Sequence, residues 1–234
     1  MKLAIVISTY MRKDGTTPIF LKRALESVFS QTHEDFKLFL IGDKYENEEE
    51  VLSIINSYPK EKIYFENLSE AKERDFHQDK WAIWSYGGVN ATNYGIEISL
   101  KENYEYICHL DHDDYWTDNH LSEISRCINE TGSDWMCTKS QYIMGLVYPK
   151  VKCNSDFCVY SPVSEGLIHS SVCMNFKKIP LRYRDLYKET GKCGQPADSD
   201  LWIRVADYCK NNNLKTTLIN KLTCYHLEEG YERI

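Results

Sequence analysis

The sequence predicts an α/β fold in a single domain, with a mostly parallel central sheet flanked by helices. Three observations carry this. Short apolar runs alternate with helical patterns through the first half of the chain, which is the mark of a parallel sheet with helices on its faces. Several of those runs end in hydroxyl or acidic residues. The chain of 234 residues is long enough to bury a sizeable core, and it has no repeat, low-complexity tract or Pro/Gly/Ser linker where a second domain would begin.

The elements follow in order. "LAIVI" (3–7) reads as a buried strand. In "TTPIFLKRALESVFSQ", Leu21, Ala24, Leu25 and Val28 share one helical face, with Thr17 as N-cap and Pro18 tolerated in the first turn. "FKLFLI" (36–41) is a second strand, "NEEEVLSIINSY" (47–58) a second helix and "KIYFE" (62–66) a third strand. Residues 67–86 break the rhythm and read as an inserted loop or short helix. "GGVNATNYGIEISL" (87–100) resumes helix with Ala91, Tyr94 and Ile98 on a common side, and "YEYICHL" (104–110) is a strand. "DNHLSEISRCINE" (118–130) is a helix capped by Asp118. Beyond residue 134 the runs "DWMCT", "YIMGLVY" and "LIHSSVCMNF" are strand-like, and "PADSDLWIRVADYCK" (196–210) is a last helix.

Composition narrows the function. A net charge of −7 argues against a nucleic-acid binder, which needs clustered Lys and Arg. No apolar run reaches membrane-spanning length, and "MKLAIVISTY" lacks the length and cleavage site of a signal peptide, so the expected location is cytoplasmic. The nine cysteines form no C-x-x-C pair. They read mostly as reduced thiols, with Cys108 and Cys137 packed as small hydrophobes. Cys153 and Cys158 are spaced to pair in an oxidising compartment, which a cytoplasmic location disfavours.

The stretch "YICHLDHDDYW" (106–116) drives an apolar strand into Asp111, Asp113 and Asp114. Ligands of open α/β sheets bind beyond the carboxyl ends of the strands, so these acids stand at the functional edge. Three carboxylates within four residues repel one another, and a divalent cation is a direct way to hold them ionised together. An all-oxygen set suits Mg²⁺ or Mn²⁺ better than zinc.

With those residues in view, the chain resembles the inverting family 2 glycosyltransferases of GT-A, Rossmann-like fold. The parts that match, in order, are "VISTYMRKD", "FLKRALESVFSQTHEDFKLFLIGD", "GGVNATNYGIE", "YEYICHLDHDDYWTDNHL", "HSSVCM", "ADSDLWIRV" and "YH". The resemblance implies a hexosyltransferase-type enzyme that takes a nucleotide-sugar donor, UDP-linked by family habit, and a saccharide or other hydroxyl acceptor. It implies a donor half over residues 1–115 and an acceptor half over 116–234.

It implies roles residue by residue. Ser8, Thr9 and Tyr10 end the first strand and line the nucleotide. Asp43, here after Gly42 where the family usually has a second Asp, bonds the base. Gly88 and Asn93 lie near nucleotide or sugar, and Thr92 stands where an Arg is common, which makes Lys72, Arg74 and Lys80 candidates for the missing cation, with a solvated loop the favoured reading of those three. Asp111 and Asp113 form the D-x-D element, with Asp113 as metal ligand and Asp111 on ribose or metal. His226 approaches the metal or diphosphate, although the adjacent Glu228 and Glu229 are an alternative reason for its charge. His169 lines the acceptor side, while His109 is a satisfied strand histidine. Asp198 is the general base, kept ionised by the start of its helix, and Asp200 braces the helix. Two other readings remain open: a nucleotidyltransferase, and a non-catalytic nucleotide- or carbohydrate-binding module.

Overall fold

The computed structural model describes residues 1–142, 145–162, 166–192 and 194–226. Among these residues ten strands form one sheet: β1 Leu3–Thr9, β2 Phe36–Asp43, β3 Ile63–Leu68, β4 Tyr106–His109, β5 Tyr115–Trp116, β6 Trp135–Gln141, β7 Val147–Tyr148, β8 Phe157–Val159, β9 Val172–Asn175 and β10 Thr216–Tyr225. Their order is β3-β2-β1-β4-β9-β6-β10-β5, with β7 on β6 and β8 on β10. Strands β3, β2, β1 and β4 run parallel, and β9 lies antiparallel between β4 and β6. The expected α/β class and mostly parallel sheet are therefore present, with the antiparallel pairings confined to one side.

Among the described residues eight α-helices flank it: α1 Thr17–Phe29, α2 Glu48–Ile55, α3 Lys72–Phe76, α4 Lys80–Tyr86, α5 Val89–Lys101, α6 His120–Thr131, α7 Leu186–Thr190 and α8 Ala197–Asn211. Among the described residues, no helix is long and apolar enough to cross a membrane. The sheet separates two cores. One face packs Leu21, Leu25 and Val28 of α1 and Leu121 and Ile124 of α6 over Ile5, Ile7 and Leu38. The other gathers Ile96 of α5 and Leu201, Trp202 and Val205 of α8 over Val6, Phe39 and Ile107.

Local details depart from the sequence reading. Thr17 is not the cap of α1: its hydroxyl accepts the Arg12 N–H at 2.9 Å and donates to the Tyr10 carbonyl at 3.0 Å, pinning the loop after β1. Asn119, not Asp118, precedes α6, without a side-chain cap. Only Val147 and Tyr148 of the 142–148 run form strand, and residues 143 and 144 lie outside the described set. The insertion 67–86 holds the two short helices α3 and α4, the second capped by Asp79. Cys153 and Cys158 are joined as a disulfide, against the reduced state expected of them, because their Cα atoms sit 6.1 Å apart across a surface turn. Cys193 is outside the described residues, and the other six cysteines are buried thiols.

Helix α5 is rotated from the expected face. Its buried residues are Val89, Ala91, Thr92, Gly95, Ile96 and Ser99, so Ala91 of the expected face is buried while Tyr94 and Ile98 are only half-buried. Gly95 explains the rotation: a Cβ there would lie 2.8 Å from Val6 Cγ1 and 3.1 Å from Ile41 Cγ1, so glycine lets the helix backbone settle on β1 and β2. Gly95→Ala is expected to lower stability by about 1–3 kcal/mol through overpacking. Chemical denaturation checks this, and adding Val6→Ala should recover part of the loss.

Candidate functional site

A cavity of about 990 Å³ opens beyond the carboxyl ends of β1, β2 and β4, a size at the upper end for small-molecule sites. Ser8, Thr9 and Tyr10 form its floor, and Gly88 and Thr92 bring the start of α5 against them. Gly88 has φ +83°, and a Cβ there would meet Ser8 Oγ at 3.4 Å. Thr92 Oγ1 donates to the same Ser8 oxygen at 3.2 Å.

Asp43, at the end of β2, is fully buried and borders the cavity. Its Oδ2 accepts Arg74 Nε at 2.7 Å, while Oδ1 has no hydrogen-bond partner. Burial raises its pKa, and Arg74 offsets part of that rise. The Arg74 guanidinium also lies 4.7 Å over the Tyr10 ring. Arg74 is thus held by Asp43 and Tyr10, and the two expected alternatives, Lys72 and Lys80, are exposed.

The acid loop after β4 is held carboxylate by carboxylate. Asp111 Oδ1 meets His169 Nδ1 at 2.9 Å, with 39% of the Asp111 side chain open. Asp113 Oδ2 meets Arg12 Nη2 at 2.6 Å, and Asp114 meets His226 Nδ1 at 2.8 Å. Ser170 ties the loop together: its hydroxyl accepts the Asp111 N–H at 3.0 Å and donates to Asp114, and its carbonyl accepts Trp116 Nε1 at 2.7 Å. Arg23 donates to the Asp113 carbonyl.

These pairings set the charges. Burial would raise the Asp111 pKa, but the nearby histidines, His169 first, hold it below the ordinary carboxylate range. Burial would lower His169 and His226, yet Asp111 raises the first and Asp114 lifts the second to about 9. His112, beside the Ser8 carbonyl and at the edge of the Tyr10 ring, is lowered by burial. His109 is buried as expected but not satisfied: neither ring nitrogen has a partner, the ring stacks 4.8 Å from His169, and burial keeps it neutral.

Asp198 stands at the second position of α8 on the same cavity wall as His169 and Tyr183. Its Oδ1 accepts the Ser199 N–H at 2.7 Å. The helix start was expected to favour its ionised form, but burial is the larger effect and its pKa is raised, with His169 opposing. Asp200 instead faces Arg184 in a two-point pair at 2.8 and 2.9 Å and accepts Arg204 Nε at 2.7 Å, a brace for α8.

Asn93 does not border the cavity. Its amide clamps the Tyr183 backbone, donating to the carbonyl at 2.8 Å and accepting the N–H at 3.1 Å. Tyr183 in turn meets His169 Nε2 at 2.7 Å. The cavity therefore brings together Ser8, Thr9, Tyr10, Asp43, Gly88, Asp111, Asp113, Asp198 and His226, and leaves Asn93 behind its wall. Sequence reading missed Ser170 and Tyr183 and gave Arg12 no part in the donor site; the partners of all three lie far away along the chain. Glu228 and Glu229 are outside the described residues.

Residues 4–165 match the family described as Glycosyl transferase family 2. The chain belongs to that family. It is 34% identical over 238 residues to the uncharacterized glycosyltransferase R139 of Acanthamoeba polyphaga mimivirus, covering 98% of this chain and 95% of that protein. It is also 32% identical over 120 residues to the succinoglycan biosynthesis protein ExoW of Rhizobium meliloti, covering 51% of this chain and 32% of that one. The fold is similar to that of S. aureus TarS solved with UDP, at TM-score 0.70 and 14% identity, over 98% of this chain but 61% of that chain. The mannosyltransferase PcManGT from Pyrobaculum calidifontis, solved with GDP-Man and Mn²⁺, superposes at TM-score 0.59 and 10% identity, over 98% of this chain and 58% of that one. At these identities the likeness is one of fold, and it gives the domain the GT-A architecture. Among the described residues of this glycosyltransferase, no three His, Cys, Asp or Glu side chains converge to hold a metal by themselves.

The buried histidines make the folded enzyme acid-sensitive. His120 stacks on Trp116 at 4.1 Å, bonds Thr223 Oγ1 at 2.8 Å, and is lowered by burial from 6.5 to about 3. Between those values the unfolded chain takes up the proton first, so this contribution is complete above 6.5 and drains as pH falls. His169 and His226, whose pKa values are raised, add no slope there because both states are protonated. The His120 contribution to unfolding free energy should therefore fall below pH 6.5, and His120→Phe should remove about 1.4 kcal/mol per pH unit of slope relative to the native protein, measured by urea titration at several pH values.

Proposed function

We propose that this glycosyltransferase moves a sugar from a nucleoside-diphosphate sugar to a hydroxyl acceptor with inversion at the anomeric carbon, Asp198 acting as general base. The observation that supports this reading best is the sharing of one cavity by Asp198 and the donor-type groups Ser8, Asp43, Asp111 and Asp113. A carboxylate of raised pKa is better matched to taking a hydroxyl proton than an ordinary one. The acceptor oxygen bonds to the anomeric carbon as its proton passes to Asp198. The bond from that carbon to the phosphate oxygen breaks on the opposite face, and the diphosphate leaves with the electron pair. One displacement requires one base and no covalent intermediate.

A uracil fits the unpartnered Oδ1 of Asp43, which accepts a ring N–H while Arg74 holds the other oxygen. TarS with UDP and PcManGT with GDP-Man are analogies for such a donor, and UDP is the favoured form. The oxygen donors Asp111 and Asp113 suit a Mg²⁺ or Mn²⁺ whose remaining positions come from phosphate and water. Asp111, open to the cavity, and one oxygen of Asp113 would hold it. His226 is set for a lesser part, because its Nδ1 is taken by Asp114 and a raised pKa keeps a proton that an ion would have to displace. Such an ion supplies charge to the leaving diphosphate.

Asp198→Asn should abolish transfer by at least about 100-fold while leaving UDP affinity within about twofold, read by product chromatography and calorimetry. Retained turnover would remove Asp198 from the role. In the native enzyme the acid limb of kcat/KM should fall above the ordinary aspartate value of about 3.9, since activity requires the ionised base. Released nucleoside diphosphate, rather than pyrophosphate, is the expected coproduct. Pyrophosphate would identify a nucleotidyltransferase.

A further inference from the structure

We propose that Arg12 is a diphosphate-binding residue of the donor site, an inference that rests on the nucleotide-sugar reading above. Arg12 follows β1 and is only 4% exposed, yet it borders the cavity beside Tyr10, Asp111 and Asp113. Its Nη2 is bonded to Asp113 and its guanidinium also interacts with the Tyr10 hydroxyl, but Nε and Nη1 meet no acceptor in full hydrogen-bond geometry. A guanidinium does not shed its charge, so buried N–H groups left without an acceptor cost free energy until an acceptor arrives. Two unfilled donors on a planar cation at a cavity wall match phosphoryl oxygens.

The residue is fixed rather than trailing. Its backbone N–H is bonded to Thr17, and its guanidinium lies 5.5 Å over Phe20, whose ring also carries Arg23 at 5.0 Å. The other cations beside the acids are already engaged, His169 on Asp111, His226 on Asp114 and Arg23 on the Asp113 carbonyl. Arg74 is held by Asp43, and Thr92 occupies the α5 position where the family resemblance implies an arginine. Among the described residues bordering the cavity, Arg12 is the one arginine and Lys150 the one lysine, and Lys150 lies over the Tyr148 ring. Arg12 therefore supplies the cation that the helix position lacks. It remains protonated throughout and stabilises charge gathering on the leaving diphosphate.

Calorimetry of the full chain with UDP and with uridine, in EDTA so that no metal contributes, tests this. GDP and guanosine are run alongside. Arg12→Gln is expected to weaken UDP about 10- to 100-fold and leave uridine within about twofold. Because that variant leaves Asp113 buried without its cation, the double change Arg12→Gln with Asp113→Asn keeps a neutral pair, and the same selective loss is expected of it. Equal loss of UDP and uridine, or unchanged UDP affinity, in the variant that folds overturns the role of Arg12 while leaving the donor reading intact. A native protein that binds no nucleoside diphosphate removes both.

Discussion

The structure depends on one electrostatic constraint, the mutual repulsion of Asp111, Asp113 and Asp114 at the end of a buried strand. Each carboxylate has its own cationic side chain, from three different regions: His169, Arg12 and His226. Removing Arg12 or His226 would leave a carboxylate charge in a place where water compensates it poorly, whereas Asp111 is partly open to the cavity. The β1–α1 loop, the turn before β9 and the end of β10 must all come together for the loop to exist in this form. The acid cluster thus acts as the point at which distant parts of the chain are made to agree.

Topology makes that agreement possible. Strand β4 is the last of the parallel set and β9 the first antiparallel one, so the acid loop leaves the sheet where the pairing direction changes. The turn at His169–Ser171 then enters β9 directly beside it. Ser170 uses both its hydroxyl and its carbonyl on the acid loop, which converts a change of strand direction into a fixed set of carboxylate orientations. Gly95 serves the same end from behind, since close seating of α5 places Thr92 against Ser8.

Much of this was legible in the sequence where it is local. Strands β1 to β4, helix α1 and the acid cluster announce themselves by period and by what ends them. The positions of Ser8, Asp43 and Asp113 at strand ends follow from the same pattern. Arg12 and Tyr183 could not be read that way. Arg12 bonds a carboxylate 101 residues away, and Asn93 clamps a backbone 90 residues on. The direction of the Asp198 pKa shift lies out of reach of the sequence for a related reason. A helix start is visible in sequence, whereas the burial that outweighs it is supplied by other segments. The Cys153–Cys158 bond was weighed by compartment, yet it is settled by the 6.1 Å separation that the turn imposes.

The same network joins the acid loop to the wall that carries Asp198. His169 is bonded to Asp111 through Nδ1 and to Tyr183 through Nε2, and Tyr183 is fixed by Asn93. Its ring has no freedom to turn without breaking both bonds. Its charge, sustained by Asp111, in turn opposes the burial that raises Asp198. Neutralising Asp111 would therefore weaken the support for charge on His169 and, through it, raise Asp198 further, while removing the direct repulsion between the two acids would act the other way. Asp198 and Asp111 are coupled through an immobile imidazole, so the basicity of one wall of the cavity is set in part by what occupies the other.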